Sequence, residues 1–84
     1  MIDIEYIGHL KEALALEQEQ LEWQSSINDV AALIEHLCQE RGVQWSTTLR
    51  QENLLVSVNQ SMVKKDHPIG DDDQVIFFPP IAGG

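Results

Sequence analysis

"QVIFFPPIAGG", residues 74–84, runs from a strand through a stiff exit to a pair of glycines. Val75 and Phe77 alternate with Ile76 and Phe78, so both faces of the strand are apolar. Pro79 ends it, having no N–H to offer a ladder. If a helix covers one face only, Ile76 or Phe78 is left partly exposed, and an exposed aromatic at a strand end is an interface anchor. A loop folded over that face, or cover on both sides of a central strand, would bury them instead. Pro79-Pro80 pre-set an extended exit with little entropy left to lose, and residues 79–84 then reach roughly 20 Å at ~3.3 Å per residue. Gly83 and Gly84 carry no side chains, so they can thread a narrow channel and leave a terminal carboxylate sterically open. With a pKa near ~3.5, such a carboxylate is ionised at neutral pH and is a poor electrophile. Chemistry there needs activation, for which acyl-adenylate formation with ATP is the natural route.

Working outward, "MIDIEYIG" alternates Ile2, Ile4 and Tyr6 against Asp3 and Glu5, the period of a half-buried strand. "QLEWQ" at 20–24 reads as a shorter strand with Leu21 and Trp23 on one face, and the segment before it as a loop with at most a helical turn. Residues 26–42 carry the clearest helix: Ser26 as N-cap, Asp29 favouring the positive end of the dipole, and Val30, Leu33, Ile34, Leu37 and Cys38 in one stripe. Arg41 sits in its last turn and Gly42 ends it. "VQWSTTLRQEN" reads as a connection plugged by Trp45 and Leu49. "LLVSVN" at 54–59 is a strand with Leu54, Val56 and Val58 on one face, "NQSM" a tight turn into an edge segment, and "KKDHPIGDDD" turn chemistry throughout. The order suits an α+β fold of the ubiquitin-like β-grasp type: a small mixed sheet on one main helix, with a β-grasp domain at 1–78 and a flexible extended tail at 79–84.

Eighty-four residues, 43% of them hydrophobic, suffice for one small core. No apolar run approaches the ~20 residues of a membrane helix, the N-terminal segment lacks a signal-peptide pattern, and the single Cys38 has no disulfide partner in the chain. A cytoplasmic location is the default expectation. Fourteen acidic residues against five Lys and Arg give a net charge of -9, which repels nucleic-acid phosphates and anionic lipid heads. Neither nucleic acid nor membrane is expected as a partner; a basic protein surface fits better, unless the acidity serves solubility alone. His9, His36 and His67 share no metal-ligand spacing, so no metal site is expected. Cys38 reads as a packing residue, the Asp71–Asp73 run as a solvated turn, and Trp23 and Trp45 as plugs. No phosphate-binding loop or catalytic triad is present.

The stretch "LLVSVNQSMVKKDHPIGDDDQVIFFPPIAGG", residues 54–84, closely resembles the MoaD-type sulfur carriers, the small-subunit family of molybdopterin synthase within the ubiquitin-like MoaD/ThiS group. The shared features are "VN" at the end of the middle strand, "DHPI", an acidic turn, "V-x-F-F-P-P" and the final Gly-Gly in one register. The resemblance implies a chain that is no enzyme on its own but the sulfur-donating subunit of a complex, a heterotetramer of two small and two large subunits. It holds no permanent cofactor. A ubiquitin-activating-like enzyme uses ATP to adenylate Gly84, and sulfur from a source such as a cysteine desulfurase converts it to a thiocarboxylate, a covalent 1-thioglycine. The tail then enters the large catalytic subunit and donates sulfur to a pyranopterin precursor, forming the molybdopterin dithiolene of the molybdenum cofactor. By position, Gly84 carries the reacting group, Ile81, Ala82 and Gly83 thread the channel, and Ile76, Phe78, Pro79 and Pro80 meet the partner. Two alternatives keep the tail chemistry but change the acceptor, a thiazole-synthesis carrier or a ubiquitin-like modifier; a third is a β-grasp interaction module without end chemistry. Where the family often has Asp-Gly-Asp before the last strand, Asp71-Asp72-Asp73 stands here, and Gly70 beside it allows the turn to shift by one residue.

Overall fold

The computed structural model describes residues 1–80. Eight elements follow in order: β1 (Ile2–Tyr6), α1 (His9–Leu14), β2 (Gln18–Leu21), α2 (Val30–Arg41), α3 (Val43–Leu49), β3 (Leu55–Val58), β4 (Ser61–Val63) and β5 (Gln74–Phe78). The strands form one mixed sheet in the order β2-β1-β5-β3-β4. Only β1 and β5 pair parallel, Ile4 opposite Val75 and Tyr6 opposite Phe77, while the other pairs are antiparallel. This is the β-grasp arrangement, an α+β sheet with its helices on a single face.

The last strand occupies residues 74–78, as its alternation predicts, and takes the central position. The helical stripe of Val30, Leu33, Ile34, Leu37 and Cys38 is buried as expected. It joins the inner-facing Ile2, Ile4, Tyr6, Val56, Val58, Val75 and Phe77 in one core.

Several expectations are corrected. Ser26 does not cap α2: Asp29 does, its carboxylate accepting the Ala32 N–H at 2.7 Å. Residues 24–28 instead make a turn, with the Ile27 N–H on the Gln24 carbonyl at 2.8 Å. The early loop contains α1, six residues long, with only Leu10 and Leu14 buried, too short to show a stripe. The connection after Gly42 is α3, whose Trp45, Thr48 and Leu49 fall at i, i+3 and i+4 and are buried. β2 lies earlier than its apolar letters indicate. Ile2 and Ile4 pair with Leu21 and Glu19, so its inner face carries a carboxylate, and Trp23 packs beyond the strand with its indole N–H on the Ile27 carbonyl at 2.8 Å.

The acidic turn does not shift. Asp72 itself takes the left-handed conformation, φ 71°, where the family often has glycine. Asp73 holds the turn by accepting the Gly70 N–H and the Asn59 side-chain N–H, each at 2.9 Å. Asn59 in turn accepts the Gln74 N–H at 3.0 Å through its side chain and donates its own N–H to the Gln74 carbonyl at 2.8 Å. The "VN" of the middle strand is thus the clasp that fastens the acidic turn to the start of β5.

Asn59 and Gln60 form the two-residue β3–β4 loop, Val58 pairing with Ser61, and both have positive φ, 51° and 74°. That sign at both positions is the requirement of a type I′ turn, best met by Asn-Gly. Glutamine in this region carries about 1–2 kcal/mol of steric strain, against about 0.5–1 kcal/mol of extra chain entropy for glycine. Gln60→Gly should therefore raise stability by roughly 0.5–1 kcal/mol, read as a higher urea midpoint at unchanged m-value.

Candidate functional site at the exit of the last strand

The central strand sorts its side chains by face. Val75 and Phe77 are fully buried on the inner face beneath the helices. On the outer face Ile76 stands between Glu5 and Ser57, and Phe78 stands opposite Leu55. Ile76, Phe78 and Leu55 are half-buried, and Met62, opposite Ser57, is 58% exposed. The strand is therefore central but covered on one side only, which resolves the burial of its second apolar face. Ile76, Phe78, Leu55 and Met62 put apolar side chains on this face of β5, β3 and β4, with buried Ser57 between Ile76 and Met62. Asp3, Glu5, Gln18, Gln20 and Gln74 line an open groove on the β1–β2 side of the same sheet.

At the exit, the Ile7 N–H donates to the Phe77 carbonyl at 3.0 Å, extending the parallel ladder one residue past β1. Half-buried Pro79 and Pro80 follow, and the Pro79 ring lies over Gly8, where β1 gives way to α1. Of the expected site residues, Ile76 and Phe78 share the outer face of β5, and Pro79 and Pro80 follow directly at its exit, Pro79 against Gly8. Ile81, Ala82, Gly83 and Gly84 lie outside the described residues. Leu55, Met62 and Gly8 join the site without having been singled out. For Leu55 the signal was available, since the alternation of "LLVSVN" puts it opposite Leu54, Val56 and Val58.

Beneath the exit, an aromatic and ionic cluster fixes Phe77. Tyr6 stacks on Phe77 at 5.8 Å between ring centroids and meets the edge of Trp45 at 5.4 Å. The Tyr6 hydroxyl donates to Glu19 at 2.7 Å, and Arg41 holds the same carboxylate with two N–H donors, both at 2.7 Å, while its guanidinium lies over Trp45. Burial, with the Glu19 carboxylate beside it, pushes the Tyr6 phenol far above its ordinary value. Burial alone would raise Glu19, but the hydrogen bonds from Arg41 and Tyr6 outweigh it and hold the carboxyl below the usual range. Glu19 in turn keeps the Arg41 guanidinium charged.

Elsewhere, Cys38 is a buried free thiol in the core, consistent with a packing role. Among the described residues no three His, Cys, Asp or Glu side chains gather as a metal site, and no helix is long and apolar enough to cross a membrane.

Comparison with known proteins agrees with this geometry. The ThiS family profile matches residues 4–84. The molybdopterin synthase sulfur carrier subunit of Escherichia coli (strain K12) is 32% identical over 84 residues, covering all of both chains. Its counterpart in Haemophilus influenzae is 30% identical over the same span, again covering all of both. Among solved structures, a protein–protein complex of subunits 1 and 2 of the molybdopterin-converting factor from Helicobacter pylori contains a chain with the same fold. It superposes with a TM-score of 0.64 at 21% identity, over 99% of this chain and 97% of that one.

Because the folded state depresses the Glu19 carboxyl, its contribution is present at neutral pH and disappears as pH falls through the folded value, below the ordinary carboxylate range. Glu19→Gln should cost about 1–3 kcal/mol at pH 7. The difference from the parent should shrink as the medium is acidified, which denaturant melts at a series of pH values would measure.

Proposed function

The chain belongs to the ThiS family, and from that membership we propose that it is the sulfur-carrier subunit of molybdopterin synthase, with the Gly84 carboxylate as its working group. The observation that carries the reading is the full-length likeness to two sulfur carrier subunits, 32% and 30% identical, with none of either chain left uncovered. The architecture supports it. A sheet covered on one side offers an apolar strip for a partner, and that strip ends at the two prolines from which the last four residues depart.

The chemistry follows from the carboxylate. An adenylating partner transfers AMP from ATP to a Gly84 oxygen and releases pyrophosphate, which makes the carbonyl carbon electrophilic. A persulfide from a cysteine desulfurase system attacks that carbon through its outer sulfur and displaces AMP. A thiol then reduces the resulting acyl disulfide, becoming a disulfide itself and leaving a thiocarboxylate, ionised at neutral pH and more nucleophilic at carbon than the oxygen acid. In the large catalytic subunit its sulfur bonds to a carbon of the pyranopterin precursor as an oxygen substituent leaves that carbon, and water cleaves the acyl–sulfur bond, returning the Gly84 carboxylate. This chain contributes the reacting terminus and its delivery; the groups that activate or accept it belong to partners. The net charge of -9 suits partners with basic docking surfaces. Phe78 and Ile76 are the anchors on this side, with Asp3 and Glu5 at the polar rim.

With the adenylating enzyme, ATP and a sulfur source, the intact chain should gain one oxygen-to-sulfur exchange in its C-terminal peptide, read by mass spectrometry. The loaded chain should then yield dithiolene product with a large synthase subunit. Deleting Gly84 should abolish both while leaving the thermal melt unchanged. A carrier that never gains the sulfur under these conditions, or a large stability loss on the deletion, would contradict the reading. Phe78→Ala should weaken binding to the large subunit by about 2 kcal/mol, near thirty-fold, measured by calorimetry with the folded variant.

A further inference from the structure

The cradle beneath Pro79 is built from one residue. Gly8 has φ 62° and ψ -137°, a combination that L side chains avoid and glycine adopts freely. A Cβ placed there would stand 3.2 Å from Cγ and 3.6 Å from Cδ of Pro79. The first of these is closer than ordinary van der Waals contact, so a side chain at position 8 would displace the proline ring by a few tenths of an ångström.

Neither partner of this contact is free to drift. Tyr6 is locked opposite Phe77, and the Ile7 N–H bonds the Phe77 carbonyl at 3.0 Å, just before the crossing. On the other side α1 begins at once: the Gly8 carbonyl accepts the Lys11 N–H at 3.1 Å and the Ile7 carbonyl accepts the Leu10 N–H at 3.3 Å. Leu10 and Leu14 then anchor α1 in the core. Pro79 has a ring-fixed φ and no N–H, so after Phe78 its direction is set by packing rather than by a ladder bond.

We propose that Gly8 is a positioning residue for sulfur transfer: its bare Cα is the seat of Pro79, and that seat sets the direction in which the C-terminal residues leave the sheet. The proposal rests on the carrier reading above and adds to it a residue some seventy positions away in sequence, which acts through Pro79. A displaced Pro79 changes where and in which direction the residues after it begin, and misplacing a reacting group by about 1 Å can cost on the order of a hundred-fold in rate.

Three measurements test it. In the isotope-labelled full chain, a nuclear Overhauser contact should join the Gly8 Hα to the Pro79 Hγ and Hδ protons. Its absence overturns the proposal without any reference to sulfur chemistry, so a failure here is distinct from a failure of the carrier reading. For the folded Gly8→Ala chain, loaded with sulfur, the transfer step at saturating large subunit should slow by about ten- to a hundred-fold, while the affinity for that subunit, held by the apolar strip, stays within about three-fold of the parent. A change in affinity alone, or a rate loss that disappears on cooling below the melt, would reduce Gly8 to a structural residue. In a Pro79→Ala background, which removes Cγ and Cδ, Gly8→Ala should cost little further; fully additive losses would show that the effect does not pass through the proline seat.

Discussion

The parallel pairing of β1 with β5 is the contact on which the rest of the structure depends. Among the described residues it is the only parallel pair in the sheet, and it joins the first strand to the last. A parallel pair cannot be closed by a hairpin and needs a long crossover; here all the remaining elements supply it. The pairing runs the start of the chain and the start of β5 side by side, so the Met1 carbonyl meets the Asp72 N–H at 3.0 Å. The opposite ends of both strands then lie together, which places Gly8 beneath Pro79. An antiparallel pairing would have put the departing tail at the other edge of β1, away from the α1 junction.

From that pairing follows the division between the two faces. Phe77 gives its ring to the core, stacked on Tyr6, while its neighbours Ile76 and Phe78 are turned outward and half-buried. The inner face is secured by more than apolar area. The Tyr6–Glu19–Arg41 hydrogen bonds link β1, β2 and the end of α2 at the level of Phe77, inside an otherwise apolar layer. A partly buried ion pair of this kind contributes less to net stability than its short distances imply, since both charges give up water. Its consequence is geometric: it ties the last turn of α2 to β1 and β2 beside the stacked rings of Tyr6 and Phe77.

How legible this was depended on the range of the interaction. The last strand and the buried stripe of α2 follow from period alone, whereas β5 is apolar on both faces and only the helices, packed on the Val75 and Phe77 side, decide that Ile76 and Phe78 turn outward. β2 was misplaced because its inner position 19 holds a glutamate whose partner, Arg41, lies 22 residues away; an apolar alternation rule reads such a strand as loop. α3 was missed because seven residues give one incomplete stripe, and the expected cap Ser26 gives way to Asp29 because a turn at Gln24–Ile27 delays the start of α2 to Val30. The Asp71–Asp73 turn kept its register because Asp73 is held from two sides, leaving Asp72 to accept the left-handed angle. Gly8 carried no local signal, since its requirement arises from a ring that arrives from the far end of the chain.

The tail's own composition would then be only half of its design. Two prolines make the exit stiff, but stiffness without a defined origin sweeps a cone, and the entropy of that cone has to be removed when the terminus enters a partner. Seating the first proline on a fixed strand–helix junction removes part of that freedom before binding. Under the carrier reading the same terminus must be presented to an adenylating enzyme and then to a synthase, so the partner-facing strip cannot bind either one so tightly that release becomes slow. A small apolar strip of half-buried side chains suits exchange, and the pre-aimed exit recovers in reaction geometry what the modest interface forgoes in affinity.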